Sequence, residues 1–230
     1  MNTSINFKSL PALALLLTAT LAGCATTGSN EFPAVSDDGL QRETSKVLDA
    51  VYWKKGASLA QYHRIKIAPP QVEFRKNWQR DQNANRFGAT NRVTAKDMDR
   101  IRAGVAASFT EQFTKELTEG GYQITNEEGD DVLLLKPSII NLDVNAPDVS
   151  MNQPTRVTTY ASSAGEMTLS MELYDSMSNS LIGRVIDRRV DPDYRIYDIT
   201  NSVTNRADAN RIMRSWARTL REALDEAHKQ

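Results

Sequence analysis

The chain has 230 residues, of which 40% are hydrophobic and 25% charged, a balance typical of a folded domain and not of disordered or collagen-like chains. Its 28 Lys and Arg residues nearly cancel its 29 Asp and Glu residues, so it lacks the basic excess typical of nucleic-acid binding. A single cysteine excludes an intramolecular disulfide and a thiolate metal cluster. We therefore expect no nucleic-acid partner, no metal and no cofactor.

The N-terminal segment has the three parts of a secretory signal peptide. Lys8 provides a positive start, an apolar stretch follows from Leu10, and small residues precede Cys24. The apolar stretch has about 14 residues, fewer than the roughly 20 that a membrane-spanning helix needs. We predict that residues 1–23 are a cleaved signal peptide.

The end of this segment, Leu21-Ala22-Gly23-Cys24, resembles the lipobox of bacterial lipoproteins. The resemblance implies cleavage between Gly23 and Cys24 and acylation of Cys24, whose acyl chains anchor a protein to a membrane. Because Ala25 and not Asp follows the cysteine, the sorting rule of such lipoproteins favours the outer membrane, with the domain facing the periplasm. The alternative is an ordinary signal peptide with a chance cysteine.

The mature chain divides into a tether and one domain. Residues 24–45 are poor in apolar side chains, so we interpret them as the lipidated N-terminus and a flexible tether. A single domain then covers residues 46–230. Its first predicted strand alternates at Ile65 and Ile67 and continues, after two prolines, at Val72 and Phe74.

Residues 76–93 are rich in Arg, Asn and Gln and show no hydrophobic period, so we predict a long loop. Aromatic and Arg side chains are enriched at binding hot spots. The loop is therefore the best candidate interaction site, through Trp78, Arg80, Arg86 and Phe87. The alternative is that both aromatic rings fold back onto the core while the charged side chains are solvated.

A helix and several strands follow this loop. Thr94 and Asp97 predict a capped helix start, and Gly120-Gly121 predicts its end. Apolar or alternating runs then predict one or two strands over 132–144 and a hairpin formed by 167–173 and 181–190.

The last helix is predicted to begin at a capping residue, Asp208, and to carry one apolar stripe formed by Ile212, Trp216, Leu220 and Leu224. With the preceding elements, the predicted fold is α+β. Two amphipathic helices pack on one face of a mostly antiparallel four- to five-stranded sheet.

Four segments resemble an uncharacterised bacterial lipoprotein family, domain of unknown function 3313: Tyr52–Gly56, Phe74–Trp78, Gly165–Ser176 and Gly183–Asp187. The resemblance runs from about residue 46 to the C-terminus and agrees with the lipobox. It implies no activity, because the shared motifs are structural.

Other polar groups have weaker functional interpretations. The acidic turn 127–131 lacks the ligand spacing of a calcium loop, so a solvated turn is favoured over a calcium site. Asp187, Asp191 and Asp193 are candidates for acid–base work or ordinary acids at a strand end. His63 and His228 lie 165 positions apart and have no metal-binding spacing. The arginines of the last helix could touch anionic groups, but a solvated face is favoured.

No stretch carries a catalytic signature, so we expect that the protein is not an enzyme. The leading hypothesis is a non-enzymatic outer-membrane lipoprotein that binds another cell-envelope component, a protein partner above all. The alternative is a module that binds a small ligand or peptidoglycan in the periplasm. An uncharacterised enzyme is the third hypothesis.

Overall fold

The computed structural model describes residues 32–84, 92–144, 165–190 and 202–229, without the side chains of residues 202–205. In the described part of the chain, short strands come first, a long helix separates them from the later strands, and a second long helix comes last. In chain order the described elements are β1 (Gln41–Glu43), β2 (Ala50–Trp53), β3 (Arg64–Ile67), β4 (Gln71–Phe74), α1 (Trp78–Asn83), α2 (Ala95–Glu119), β5 (Gln123–Ile124), β6 (Val132–Asp143), β7 (Glu166–Asp175), β8 (Leu181–Val190) and α3 (Ser202–Ala227).

The strands form one eight-stranded sheet in the order β1-β2-β8-β7-β6-β3-β5, and β4 also pairs with β6. The pairs from β1 to β6 are antiparallel, whereas β6 pairs in parallel with β3 and β4, and β3 with β5. The α+β class is therefore confirmed. The predicted four- to five-stranded, mostly antiparallel sheet was too small, because β1, β2 and β5 have only two to four residues and show no alternation that a sequence pattern could detect.

The hairpin of β7 and β8 and the helix α2 form as predicted. At the start of α2 the Thr94 hydroxyl accepts a bond from the Asp97 N–H, while the Asp97 carboxylate accepts one from the Thr94 N–H. The helix α3 begins at Ser202, six residues before the predicted cap at Asp208. Both predicted segments over 132–144 belong to a single strand, β6. Within it, Asn141 has a left-handed backbone with a φ of 54°, at the point where the pairing with β7 shifts register.

The long helices α2 and α3 pack together over one face of the sheet. Phe109 and Phe113 of α2 and Met213 and Trp216 of α3 are buried in one core with the inward-facing residues of the central strands. Among the described residues, no helix is sufficiently long and apolar to cross a membrane.

The N-terminal strap, residues 33–40, lies against the β1 side of the sheet. The Arg42 N–H donates to the Ala34 carbonyl, the Tyr52 hydroxyl donates to the Pro33 carbonyl, and Leu40 is buried. The prediction of a flexible tether over 24–45 thus differs from the structure, which holds the chain from Pro33 and includes β1 in the sheet.

The register of the strands defines two ends of the sheet. At the entry end, β6 ends at Asp143, β7 begins at Glu166 and β8 ends at Val190. The strap runs antiparallel to β1 through the Val35–Gln41 bridge, so its first residue, Pro33, is the part of the strap nearest the entry end. The opposite end, the turn end, carries the β7–β8 turn and the C-terminal ends of α2 and α3.

Candidate functional site

Two of the four predicted interaction residues, Trp78 and Arg80, lie on the short helix α1 at the entry end of the sheet. The predicted loop thus contains a six-residue helix, which begins after Asn77 adopts a left-handed backbone with a φ of 64°. Arg86 and Phe87 lie outside the described residues, as do the predicted lipidation and cleavage positions Gly23 and Cys24.

Trp78 is a core residue and not an exposed anchor. Its ring stacks on Phe74 with 4.1 Å between centroids, its side chain is 1% exposed, and its indole N–H donates to the Val144 carbonyl at 2.8 Å. For Trp78, the alternative in which the ring folds back onto the core is therefore correct. A Trp ring has a large apolar surface to bury and one polar group to satisfy, and this position provides for both.

An open groove of about 580 Å³ lies against this aromatic pair. Phe74, Trp78 and Met98 contribute its apolar part, and Arg80, with a side chain that is 72% exposed, lies at its rim. Arg102 from α2 places its guanidinium 5.2 Å from the centre of the Phe74 ring, within cation–π range. The volume is in the range of ligand-binding clefts in proteins.

Electrostatic contacts fix the side of the groove next to β4. Arg75 donates to Asp143 at 2.6 Å and to Asp81 at 2.7 Å, so it joins β4, β6 and α1. The hydrogen bonds from Arg75 and Arg80 hold the pKa of Asp81 below its usual value. The arginines give the groove the chemistry of a binding surface for carboxylate or aromatic groups, with Asp81 serving to position them.

The structure also accounts for Asp187, which sequence patterns left open as an acid–base group. Its buried carboxylate accepts the Trp216 indole N–H at 2.6 Å, the Asp49 N–H at 3.2 Å and the Arg189 guanidinium. Asp187 therefore ties α3 and the β1–β2 loop to β8. Asp191 and Asp193 lie outside the described residues.

The acidic turn is a set of ion pairs. Asp131 accepts two hydrogen-bond donors of Arg64, at 2.6 and 2.8 Å, and Glu128 pairs with Lys66 at 3.2 Å. Arg64 lowers the pKa of Asp131 through these bonds. In the described parts of the chain, no group of three or more potential ligand side chains could hold a metal ion.

Several arginines of α3 face α2 and pair with it. Arg218 and Arg221 approach the buried carboxylate of Glu116 at 3.5 and 3.3 Å, and Arg214 donates to Gln112. These contacts hold the two helices together. The interpretation of this arginine face as a surface for anionic groups is thus not favoured by the structure.

The two histidines, which the sequence separates by 165 positions, are stacked at the turn end. Their ring centroids lie 4.6 Å apart, and Tyr122 donates its hydroxyl proton to Asp225 at 2.8 Å beside His228. Burial and the hydrogen bond to Asp225 raise the pKa of Tyr122. No sequence spacing could have predicted this cluster, because it depends on how the end of α3 packs against His63 and Tyr122, the residues that precede β3 and β5.

A second crevice, of about 440 Å³, was also missed by the sequence patterns. It lies on the sheet face away from the helices, between the Pro69 segment and the Lys136–Glu172 pair of neighbouring strands, with Ser138 and Ser170 in its lining. Only the register of β6 and β7 brings these side chains together.

Comparison with protein families gives one match, to the model for "Protein of unknown function (DUF3313)" over residues 31–220. No curated protein matches the chain in sequence.

Solved structures give distant matches. The PelC dodecamer from Paraburkholderia phytofirmans is 10% identical, with a TM-score of 0.34 over 72% of this chain and 95% of that one. A candidate lipoprotein from Caulobacter crescentus CB15 is 15% identical, with a TM-score of 0.30 over 55% and 85%. A DUF330 protein from Xanthomonas campestris is 11% identical, with a TM-score of 0.31 over 74% and 90%. Likeness at this distance gives no argument about a ligand or a partner.

Proposed function

The chain belongs to the DUF3313 family, and we propose that it is a non-enzymatic lipoprotein of the outer membrane that binds another protein of the cell envelope. The lipobox at Leu21–Cys24 supports the anchor, and Ala25 supports the outer membrane as its location, with the domain facing the periplasm. Lipid on Cys24 is the contact with the membrane. The groove beside α1 is the proposed contact with the protein partner.

The observation that supports binding is the composition of this groove. Its apolar part is aromatic, and its rim carries the guanidinium groups of Arg80 and Arg102. Arg and aromatic side chains are the residues in which interface binding energy is most often concentrated. The fitting partner segment carries carboxylate and apolar or aromatic side chains.

Photo-crosslinking in intact cells tests this proposal directly. A photoreactive residue replaces Arg80 or Glu73, both exposed beside the groove, and Lys115 serves as the control position. Lys115 is exposed on the same helix as Met98 but lies about 25 Å further along its axis. We expect a defined crosslinked protein from the two groove positions and none from Lys115.

Charge reversal provides the second measurement. Arg80→Glu combined with Arg102→Glu is expected to weaken capture of the partner about tenfold or more, the effect of losing a hot-spot contact, whereas Lys115→Glu leaves it unchanged. Circular dichroism confirms that each variant is folded. Equal capture by all three proteins, or a protein that stays a lone monomer in the cell, would contradict the proposal.

The anchor has its own test. Cys24→Ala is expected to abolish labelling with radioactive palmitate and processing at this site. Unchanged labelling of the variant would refute lipidation of Cys24. Fractionation of inner and outer membranes then tests the location, which Ala25→Asp is expected to shift to the inner membrane.

The crevice between Pro69 and Glu172 supports the second candidate function, binding of a small ligand or of peptidoglycan. Its lining combines a cation, a carboxylate and two hydroxyl groups, the groups that bind polar ligands such as sugars and peptides. Sedimentation of the purified protein with peptidoglycan tests this function, and Ser170→Leu is expected to abolish the sedimentation. A soluble fraction that is unaffected by peptidoglycan rules it out.

A further inference from the structure

The place where the chain enters the fold is fixed by the N-terminal strap. The Tyr52 hydroxyl donates a hydrogen bond to the Pro33 carbonyl at 2.9 Å, and the Arg42 N–H donates one to the Ala34 carbonyl at the same distance. Since Arg42 also pairs with Tyr52 across β1 and β2, Pro33 lies level with the end of β1. The chain therefore enters beside the β1–β2 loop, residues 44–49.

This loop lies against the last residues of β8. The Arg188 N–H donates to the Asp49 carboxylate at 2.9 Å, and the Arg189 guanidinium donates to the Val47 carbonyl at 2.8 Å. Val190, the final residue of β8, pairs with Glu166 at the start of β7. The β1–β2 loop and the end of β8 thus form one continuous surface at the entry end, next to the start of the strap.

Two exposed apolar side chains lie on this surface. Four large hydrophobic residues are exposed in the described parts of the chain, and two of them are here: Val47 (56%) and Val190 (41%). Val35 (54%) pairs with Gln41 and lies level with Gly183, nearer the turn end, and Met177 (64%) lies in the β7–β8 turn. Single exposed apolar residues are ordinary, but two that lie together on one surface are a feature of contact surfaces.

Cationic side chains accompany the valines. Lys46 is exposed next to Val47, and the Arg188 side chain, which pairs with Glu166, is 57% exposed. Basic groups beside small apolar ones suit the boundary between lipid headgroups and acyl chains.

The length of the chain before the strap limits how far this surface can lie from a lipid on Cys24. Eight residues separate Cys24 from Pro33, and a fully extended chain of this length spans about 30 Å. The twelve-residue strand β6 alone is about 40 Å long. The link is thus shorter than the domain, and because the start of the strap is its part nearest the entry end, this end is the side of the domain held near the membrane.

We propose that the entry end rests on the bilayer surface, with Val47 and Val190 in contact with the lipid headgroup region and Met177 directed away from it. This inference depends on the lipid anchor proposed above. It adds an orientation for the domain and a second contact with the membrane besides the acyl chains.

Depth-dependent fluorescence quenching tests the orientation. Lipidation occupies the only cysteine of the chain, so Val47→Cys, Val190→Cys or Met177→Cys introduces a single free thiol for an environment-sensitive dye. Each full-length lipoprotein is reconstituted in vesicles of phosphatidylethanolamine and phosphatidylglycerol that contain headgroup-region spin-labelled lipid. We expect loss of dye fluorescence at positions 47 and 190 and none at position 177.

The outcomes separate the inference from its premise. Mass spectrometry first establishes whether Cys24 carries acyl chains. If it does, absence of quenching at positions 47 and 190, or equal quenching at position 177, overturns the orientation and leaves the proposed anchor intact. If Cys24 is unmodified, the anchor and the orientation both fail.

Discussion

The two ends of the sheet differ in how completely their polar and apolar groups are satisfied within the domain. At the turn end, Asp131 accepts a hydrogen bond from Arg64, the Tyr122 hydroxyl donates to Asp225, and the Ser178 N–H donates to Asp175 at 2.7 Å. The entry end has two exposed valines, Val47 and Val190, and an open groove. The difference indicates that the turn end stabilises the domain, whereas the entry end is free to contact other molecules.

The largest effect is expected where the groove meets the core. Trp78→Ala removes a buried ring and the bond to Val144, so we expect the free energy of unfolding to fall by about 3–5 kcal/mol. Urea denaturation measures this loss, and Arg80→Ala, at an exposed position two residues away, is expected to change it by less than about 0.5 kcal/mol. An unchanged midpoint for Trp78→Ala would show that the ring is a surface residue after all.

A smaller loss is expected from the tyrosine at the turn end. Tyr122→Phe removes the hydroxyl that donates to the Asp225 carboxylate, which should cost about 1–2 kcal/mol. Asp225→Asn, which keeps an acceptor oxygen, should cost less. If both variants match the parent in thermal unfolding, this bond does not stabilise the turn end.

The ion pair of Asp131 makes the stability of the turn end sensitive to acid. Arg64 lowers the pKa of Asp131 in the folded state, so the stabilisation is complete above the unfolded pKa, near 4, and is lost as the pH falls through the folded value. Such carboxylates titrate between about pH 5 and pH 2. Over this range the free energy of unfolding of Asp131→Asn should therefore fall less than that of the parent. Its exposed neighbour provides the control, Asp130→Asn, which should follow the parent curve; identical curves for all three would contradict the pair's role.

The smallest effect concerns the guanidinium over Phe74. Arg102→Gln removes the cation–π contact and should destabilise the domain by about 0.5–1 kcal/mol. The matched control is Arg100→Gln, which loses only an exposed pair with Asp97 at i,i+3, worth about 0.3 kcal/mol. Equal losses for the two variants would mean that Arg102 adds nothing beyond its surface pair with Asp99.

The parts of the fold that sequence predicts well are those with a strong local signal. The Thr94–Asp97 capping box and the alternation of β7 and β8 are such signals, and the structure confirms both elements. The helix α1 has no such signal, because its one Trp and five polar residues show no period and the residue before it, Asn77, has a left-handed backbone. The parallel pairing of β3 and β4 with β6 was beyond prediction, since side-chain alternation does not encode strand direction.

The candidate site shows the same division. Composition alone selected the segment that contains Arg80, and the structure places that side chain at the rim of a groove. Composition could not show that Trp78 turns inward. That orientation depends on Phe74, which belongs to β4, and on Val144, which is distant in the sequence. The stack of His63 on His228 depends in the same way on long-range packing.

The pairing of β2 with β8 also restricts the order of folding. Ala50 meets Ile186, so the strap and the first two strands have no place in the sheet until the last strand has formed. Contacts between such distant segments close slowly, because a long loop must be ordered first. Under the export proposed above, the strap and the first two strands therefore stay unpaired until β8 has followed them across the membrane.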